Sequence, residues 1–94
     1  MSKIILSEDA LASIISNAVL SVEGVSGLFG QSSVVCEFFD SKINVTVDVI
    51  AIFDYDLRKL GNEIEEKIKL EVENITPYKV GNCTIRFQDI NYEY

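Results

Sequence analysis

The sequence predicts a small α+β protein of (β)αββαβ order, with two helices packed on one face of a mostly antiparallel sheet. Two segments place apolar residues at the three- and four-residue spacing of a helix, and two others alternate apolar and polar residues as half-buried strands do. A chain of 94 residues is long enough for one core, so residues 1–94 are expected to form a single domain.

The first third of the chain predicts one helix. Residues 4–6 favour a short first strand, and Ser7 then occupies an N-cap position. From Ala10 to Val22 the apolar residues fall on one side of a helix. The three glycines that follow predict the end of the helix and a loop; they are Gly24, Gly27 and Gly30.

The middle of the chain predicts a hairpin. Val34 to Phe39 is a nearly continuous apolar run, and Lys42 to Phe53 alternates apolar and polar residues. Asp40 and Ser41 between them are typical turn residues. We therefore expect an antiparallel pair of strands with one half-solvated face.

The last third predicts a second helix and a final strand. Asp56 is the expected N-cap, and one apolar stripe follows: Leu57, Leu60, Ile64, Ile68, Val72 and Ile75. Acidic and basic residues recur four apart on the opposite face, as on an exposed helix. Gly61 interrupts this helix and indicates close packing against another element. Pro77 ends the helical segment. Apolar and polar residues then alternate from Cys83 to Phe87, which predicts the last strand.

Charge and composition narrow the class of partner. The formal net charge is −7, which opposes binding to nucleic acid and to anionic lipid, since both rely on Lys and Arg. No nucleic acid and no direct membrane insertion are therefore expected. Hydrophobic residues make up 48% of the chain, and surplus apolar surface is often covered by a partner or by self-association into a homo-oligomer.

The sequence indicates a cytoplasmic protein. Acidic residues begin at Glu8, so the start of the chain lacks the apolar core of a signal peptide. The longest apolar stretches are shorter than a membrane span. Cys36 and Cys83 lie in strand-like segments, where each is expected to be a small buried apolar residue and not half of a disulfide.

Residues suited to catalysis or to metal binding are scarce. The chain has no histidine, which removes the usual base of a nucleophilic triad and the commonest zinc ligand. Glu63, Glu65 and Glu66 alternate with lysines and are expected on a solvated helix face. Asp54 and Asp56 are expected to cap the turn between strand and helix. A protein without enzymatic activity, cofactor or metal is the expectation.

One short motif supports an alternative. Gly24-Val25-Ser26-Gly27 has the GxxG pattern of the loop with which KH modules hold an RNA backbone. The motif is weak alone, and the basic residues that normally accompany it are absent from these four positions. A KH-like RNA-binding module is therefore kept as the second hypothesis.

Three segments resemble a known family. They are ILSEDALASIISNAVLSVEGVSGL, INVTVDVIAIFDYD and IEEKIKLEVENITPYKVGNCTIRFQDI, which together run over most of the chain. In this order and spacing they resemble the alkaline shock protein family of Gram-positive envelope stress response proteins. The chain departs from the family pattern at Asp56, Glu65 and Pro77.

The resemblance implies a cytoplasmic interaction or scaffold protein that supports the cell envelope. It also implies partners such as a small membrane-anchored protein or paralogues of the family, and it carries over no catalytic residue. From the residues themselves, the expected partner contacts are three exposed apolar side chains: Leu20 and Leu70, which fall off the buried helix stripes, and Phe29 in the glycine loop.

Overall fold

A computed structural model describes residues 5–92. Its elements are α1 (Glu8–Leu20), β1 (Val25–Leu28), β2 (Val34–Phe39), β3 (Lys42–Ile52), α2 (Leu57–Ile75) and β4 (Lys79–Asn91). Both helices pack on the same face of a four-stranded sheet, so the α+β class predicted from the sequence is confirmed.

Each helix begins at the capping residue that the sequence predicts. Ser7 Oγ accepts the Ala10 N–H at 3.1 Å, and Asp56 Oδ1 accepts the N–H groups of Arg58 at 3.0 Å and Lys59 at 3.3 Å. These bonds satisfy N–H groups that have no partner within the helix. A cap of this kind stabilises a helix by about 1 kcal/mol.

The sheet is built around β3. β4 pairs with β3 in parallel along almost its whole length. β1 and β2 both pair with β3 in antiparallel fashion, at Val49–Ala51 and at Lys42–Val47 respectively. Because β4 occupies one edge of β3, β1 and β2 lie end to end along the other edge. The parallel pairing requires a long crossover, which α2 supplies.

The core lies between the inner face of β3 and the two helices. It contains Leu11, Ile15 and Val19 from α1, Ile43, Val45, Val47, Val49 and Ala51 from β3, and Leu60, Ile64, Ile68 and Val72 from α2. Burying a side chain of this size stabilises the fold by roughly 1.5–3 kcal/mol. The alternate residues of β3, such as Asn44, Thr46 and Asp48, lie on the outer face of the sheet, which neither helix covers.

Three details of the predicted order are wrong or incomplete. Of the predicted first strand, residue 4 lies outside the described residues, and residues 5–7 adopt no strand. The glycine loop instead contains a strand, β1, which follows a turn at Gly24. The last strand is also longer than predicted, and it runs parallel to β3. Two of the three pairings among the described strands are antiparallel, so the sheet is mostly antiparallel as predicted. The parallel direction of β4 cannot be recognised from the alternation of its residues alone.

Candidate partner-binding surface

Aromatic and acidic side chains come together where β3 leads into α2. We call this region the sheet-end surface. It comprises the apolar residues Ile52, Phe53, Tyr55 and Tyr92 and the carboxylates of Glu23, Asp54, Asp56 and Glu63. The loop from residue 53 to residue 56 supplies half of these side chains, and the turn after α1, the first turns of α2 and the end of β4 supply most of the others.

Two aromatic rings of the sheet-end surface are in contact at a tilted angle. Phe53 and Tyr92 have ring centroids 4.7 Å apart with an interplanar angle of 37°. The backbone holds them together, because the Phe53 N–H donates to the Asn91 carbonyl at 2.8 Å. Phe53 nevertheless remains 44% exposed and Tyr92 67% exposed. Large apolar side chains exposed side by side are a frequent sign of an interaction site.

Tyr55 is positioned by the turn that follows α1. Its Oη donates to Glu23 Oε1 at 3.1 Å, and its ring covers Gly24. Gly24 has φ +104°, and a Cβ there would lie 2.6 Å from Tyr55 Cδ1. A glycine is therefore required at this position both by the backbone conformation and by the close approach of the ring.

Tyr55 lines a cleft of about 400 Å³. Four carboxylates and one ammonium group line it, together with the side chains of Tyr55 and Leu60; the charged residues are Glu23, Asp54, Asp56, Glu63 and Lys59. The lining of the cleft is therefore mostly acidic, with one aromatic and one aliphatic side chain. Among residues 5–92, no group of three or more His, Cys, Asp or Glu side chains is placed to hold a metal ion.

The partner contacts predicted from the sequence lie elsewhere. Leu20 is 49% exposed, Leu70 is 55% exposed and Phe29 is 43% exposed. The α1 residues that face α2 are Ile14, Asn17, Ala18 and Ser21, at intervals of three and four. Neither Leu20 nor Leu70 lines the groove between the two helices at these residues. The role of Leu20, Leu70 and Phe29 in partner binding stays a prediction.

The charged face of α2 is solvated, as the sequence predicts. Lys69 Nζ lies 3.0 Å from Glu65 Oε2, and Lys67 Nζ lies 3.4 Å from Glu71 Oε1. All four side chains are partly exposed, so each pair contributes little to stability. Glu63 differs from its neighbours because it lines the acidic cleft.

The two cysteines behave as half-buried apolar residues. Cys36 on β2 and Cys83 on β4 both pair with Val45, on opposite edges of β3. Their Cα atoms are therefore about 10 Å apart, too far for a disulfide. Burial, with smaller effects from nearby charges, raises the pKa of both thiols to about 11. Both thiols are therefore expected to stay protonated at neutral pH.

The GxxG motif is not an open loop. Gly24 is covered by Tyr55, and Val25–Leu28 form β1, which pairs with β3. Glu23, directly before the motif, adds a carboxylate that would repel an RNA phosphate. This geometry removes the basis of the KH-like hypothesis.

The resemblance to the alkaline shock protein family is wrong. No family model matches the chain, and no curated protein matches it. Solved structures of MamM CTD are similar to this chain instead. The three quoted segments therefore do not place the chain in the alkaline shock family.

The similarity to MamM CTD extends over most of the chain. A methionine-to-leucine variant of MamM CTD has a TM-score of 0.70 and 10% identity, covering 86% of this chain and 95% of that one. A variant solved in a copper form has a TM-score of 0.71 and 9% identity, covering 88% and 98%. A double variant has a TM-score of 0.68 and 9% identity, covering 92% and 94%. At this identity the similarity shows a shared fold.

Within the part of the chain that the structure describes, neither helix is long and apolar enough to cross a membrane.

Proposed function

We propose that this chain is a protein-interaction module without enzymatic activity, and that it binds a partner segment carrying both basic and apolar side chains. The observation that carries the proposal is the sheet-end surface, where the exposed Phe53 and Tyr92 rings adjoin an acidic cleft. Aromatic residues are enriched at protein interfaces, where they provide most of the binding energy.

The chemistry of the cleft favours a basic partner. Among the described residues that line the cleft, Lys59 is the only cation against four carboxylates, so a Lys or Arg side chain entering it meets an attractive field. The Tyr55 ring adds a surface on which a cation can stack. The net charge of −7 also attracts a basic partner at longer range. Apolar side chains of the same segment would cover the rings of Phe53 and Tyr92.

The cysteines support a reducing compartment for this interaction. Cys36 and Cys83 are both free thiols, and their places in the sheet do not allow them to join. Unpaired cysteines are typical of cytosolic proteins. We therefore place the interaction in the cytoplasm.

Fluorescence anisotropy of labelled peptides tests the proposal. One peptide alternates lysine with leucine and phenylalanine, and a second has glutamate in place of every lysine. We expect the basic peptide to bind and the acidic peptide not to bind. The double variant Glu23→Lys, Glu63→Lys should abolish binding of the basic peptide, because it reverses two of the four carboxylates in the cleft.

A matched variant separates the cleft from net charge. Glu37→Lys with Glu66→Lys changes the net charge by the same amount, at two exposed positions that do not line the cleft. This variant should still bind the basic peptide. Equal loss of binding in both double variants would mean that only the total charge matters, and the proposal would be rejected. Circular dichroism spectra of all variants establish that each is folded.

A further inference from the structure

The outer edge of β4 is a long sheet edge available for pairing. β4 is 13 residues long and pairs with β3 on one side. Among the described residues no strand pairs with its other side. Long exposed edges are uncommon in natural sheets, because their backbone groups can pair with another chain.

The hydrogen bonds of β3 show which backbone groups of β4 face outward. The Asp48 N–H donates to Ser33 and its carbonyl accepts from Phe29, both on the β1 and β2 side. The backbone N–H and C=O groups of the residues directly before and after Asp48 therefore face β4. One of these residues, Val47, pairs with Ile85. In a parallel pairing, a residue whose backbone groups face the other strand forms hydrogen bonds with the residues directly before and after its partner. The N–H and C=O groups of Cys83, Ile85 and Phe87 are consequently directed away from β3.

The outward N–H groups at the two ends of β4 are capped by carboxylates. The Val80 N–H donates to Glu73 Oε2 at 3.1 Å, and the Ile90 N–H donates to Asp89 Oδ1 at 2.8 Å. The register with β3 also shifts beyond each end of the segment from Cys83 to Phe87. The regular, uncapped part of the edge is therefore this segment, with Ile85 at its centre.

The side chains of this segment suit burial. Cys83, Ile85 and Phe87 pack against the core yet remain partly exposed, whereas their β3 partners are at most 1% exposed. Arg86 is the only charged residue in the segment from Cys83 to Phe87. It donates hydrogen bonds to Asp48 at 2.6 Å and 3.0 Å on the outer face of the sheet. The segment thus lacks the unpaired charges with which natural proteins protect an edge strand.

We propose that β4 pairs in antiparallel fashion with β4 of a second copy of this chain, about a two-fold axis at Ile85. Ile85 then lies opposite Ile85 of the second copy, and Cys83 lies opposite its Phe87. All three outward residues meet outward residues, which forms about six hydrogen bonds between the copies. Moving the axis to Thr84 or Arg86 matches one pair fewer, and an axis at Arg86 also places two arginines opposite each other.

Pairing about Ile85 extends the sheet across both copies and keeps their helices on the same face. The sheet-end surfaces then lie at opposite ends of the dimer, because the two β4 strands run in opposite directions. Self-association and peptide binding use different surfaces, so this proposal is independent of the proposed function.

Amide hydrogen exchange followed by NMR tests the proposal on the unmodified protein. As protein concentration rises, exchange should slow at Cys83, Ile85 and Phe87. The amides of Thr84 and Arg86 should be protected at every concentration, because they bond to β3. Sedimentation equilibrium measures the monomer–dimer constant in parallel. A chain that stays monomeric, or a dimer in which the three outward amides still exchange rapidly, would overturn the proposal.

Two substitutions at the axis sharpen the test. Ile85→Pro removes an outward N–H that makes no bond to β3, and proline is tolerated at such edge positions. It removes two hydrogen bonds from the dimer, so the dissociation constant should rise about thirtyfold. Ile85→Val keeps the N–H and should dimerise like the unmodified chain. Equal dimerisation of a folded Ile85→Pro variant would contradict the pairing.

Discussion

Gly24 is the residue whose replacement most directly tests the geometry of the sheet-end surface. It has φ +104°, in the left-handed region that side chains rarely adopt. The Cβ of an alanine would lie 2.6 Å and 2.8 Å from two carbons of the Tyr55 ring, and 3.1 Å from Leu60 Cδ1. Gly24→Ala should therefore strain the backbone and displace Tyr55.

The two effects have separate magnitudes. A non-glycine residue held at positive φ costs about 1–3 kcal/mol. Inserting a methyl group into a filled space costs about 1–3 kcal/mol, and here the lower part of the range applies because the exposed Tyr55 ring can swing outward. We expect Gly24→Ala to lower the free energy of unfolding by about 2–4 kcal/mol. Domains of this kind have about 5–15 kcal/mol in total.

Urea unfolding monitored by circular dichroism measures this loss. Gly27→Ala is the matched control. Gly27 lies in the same motif and has no positive φ, and no other atom would lie within 4 Å of the new Cβ. It should be neutral or slightly stabilising, because alanine restricts the unfolded chain. A loss of less than about 1 kcal/mol for Gly24→Ala, or equal losses for both variants, would refute the reasoning.

Three further predictions concern stability. Gly61→Ala should stabilise the protein by about 1 kcal/mol, because alanine favours helix and its Cβ would lie 3.8 Å from the Phe87 ring, an ordinary contact; a lower urea midpoint would contradict this. Asp56→Ala should destabilise it by about 1 kcal/mol through loss of the α2 cap, and Asp56→Asn should cost less; equal losses would contradict capping. The Arg86 hydrogen bond holds the pKa of Asp48 below its ordinary value of 3.8, so this stabilisation exists above pH 3.8 and is lost as pH falls through the lowered pKa. Arg86→Met should therefore destabilise the protein at pH 7 but much less in strong acid, and a pH-independent difference would contradict the assignment.

The parts of the fold that local chemistry determines could be predicted. Ser7 and Asp56 are side chains that bond to the nearest backbone N–H groups, so their role depends only on neighbouring residues. The alternation of β3 was also readable, because one of its faces is fully buried. The apolar stripe predicted the four buried residues of α2, whereas Leu57 and Ile75 at its ends are partly exposed.

Features that depend on distant pairing could not be predicted. β1 has four residues and includes Gly27, so its extended conformation depends on pairing with β3. The parallel direction of β4 follows from the crossover through α2, and alternation is the same in either direction. Caps and apolar spacing are shared by many α+β chains, which is why three ordered segments could suggest a family to which the chain shows no match.

The sheet-end surface was missed for a similar reason. Asp56 caps α2 as predicted, whereas Asp54 lies in the turn with φ +77°. Tyr92 lies far from both in sequence and joins Phe53 only through the pairing of β4 with β3. The available signal was the pair of aromatic residues, Phe53 and Tyr55, between a strand and a helix. Their exposure could not be recognised without the fold.

Photo-crosslinking in cells tests the central claim of partner binding most directly. A benzophenone amino acid would replace Phe53 or Tyr92, and a control would carry it at Glu37, an exposed position on β2. We predict that Phe53 and Tyr92 crosslink to the same partner through a segment rich in basic and apolar residues. The reversal of Glu23 and Glu63 to lysine should remove this product. Crosslinks equal to those from position 37, or formed only with a second copy of the chain, would contradict the account.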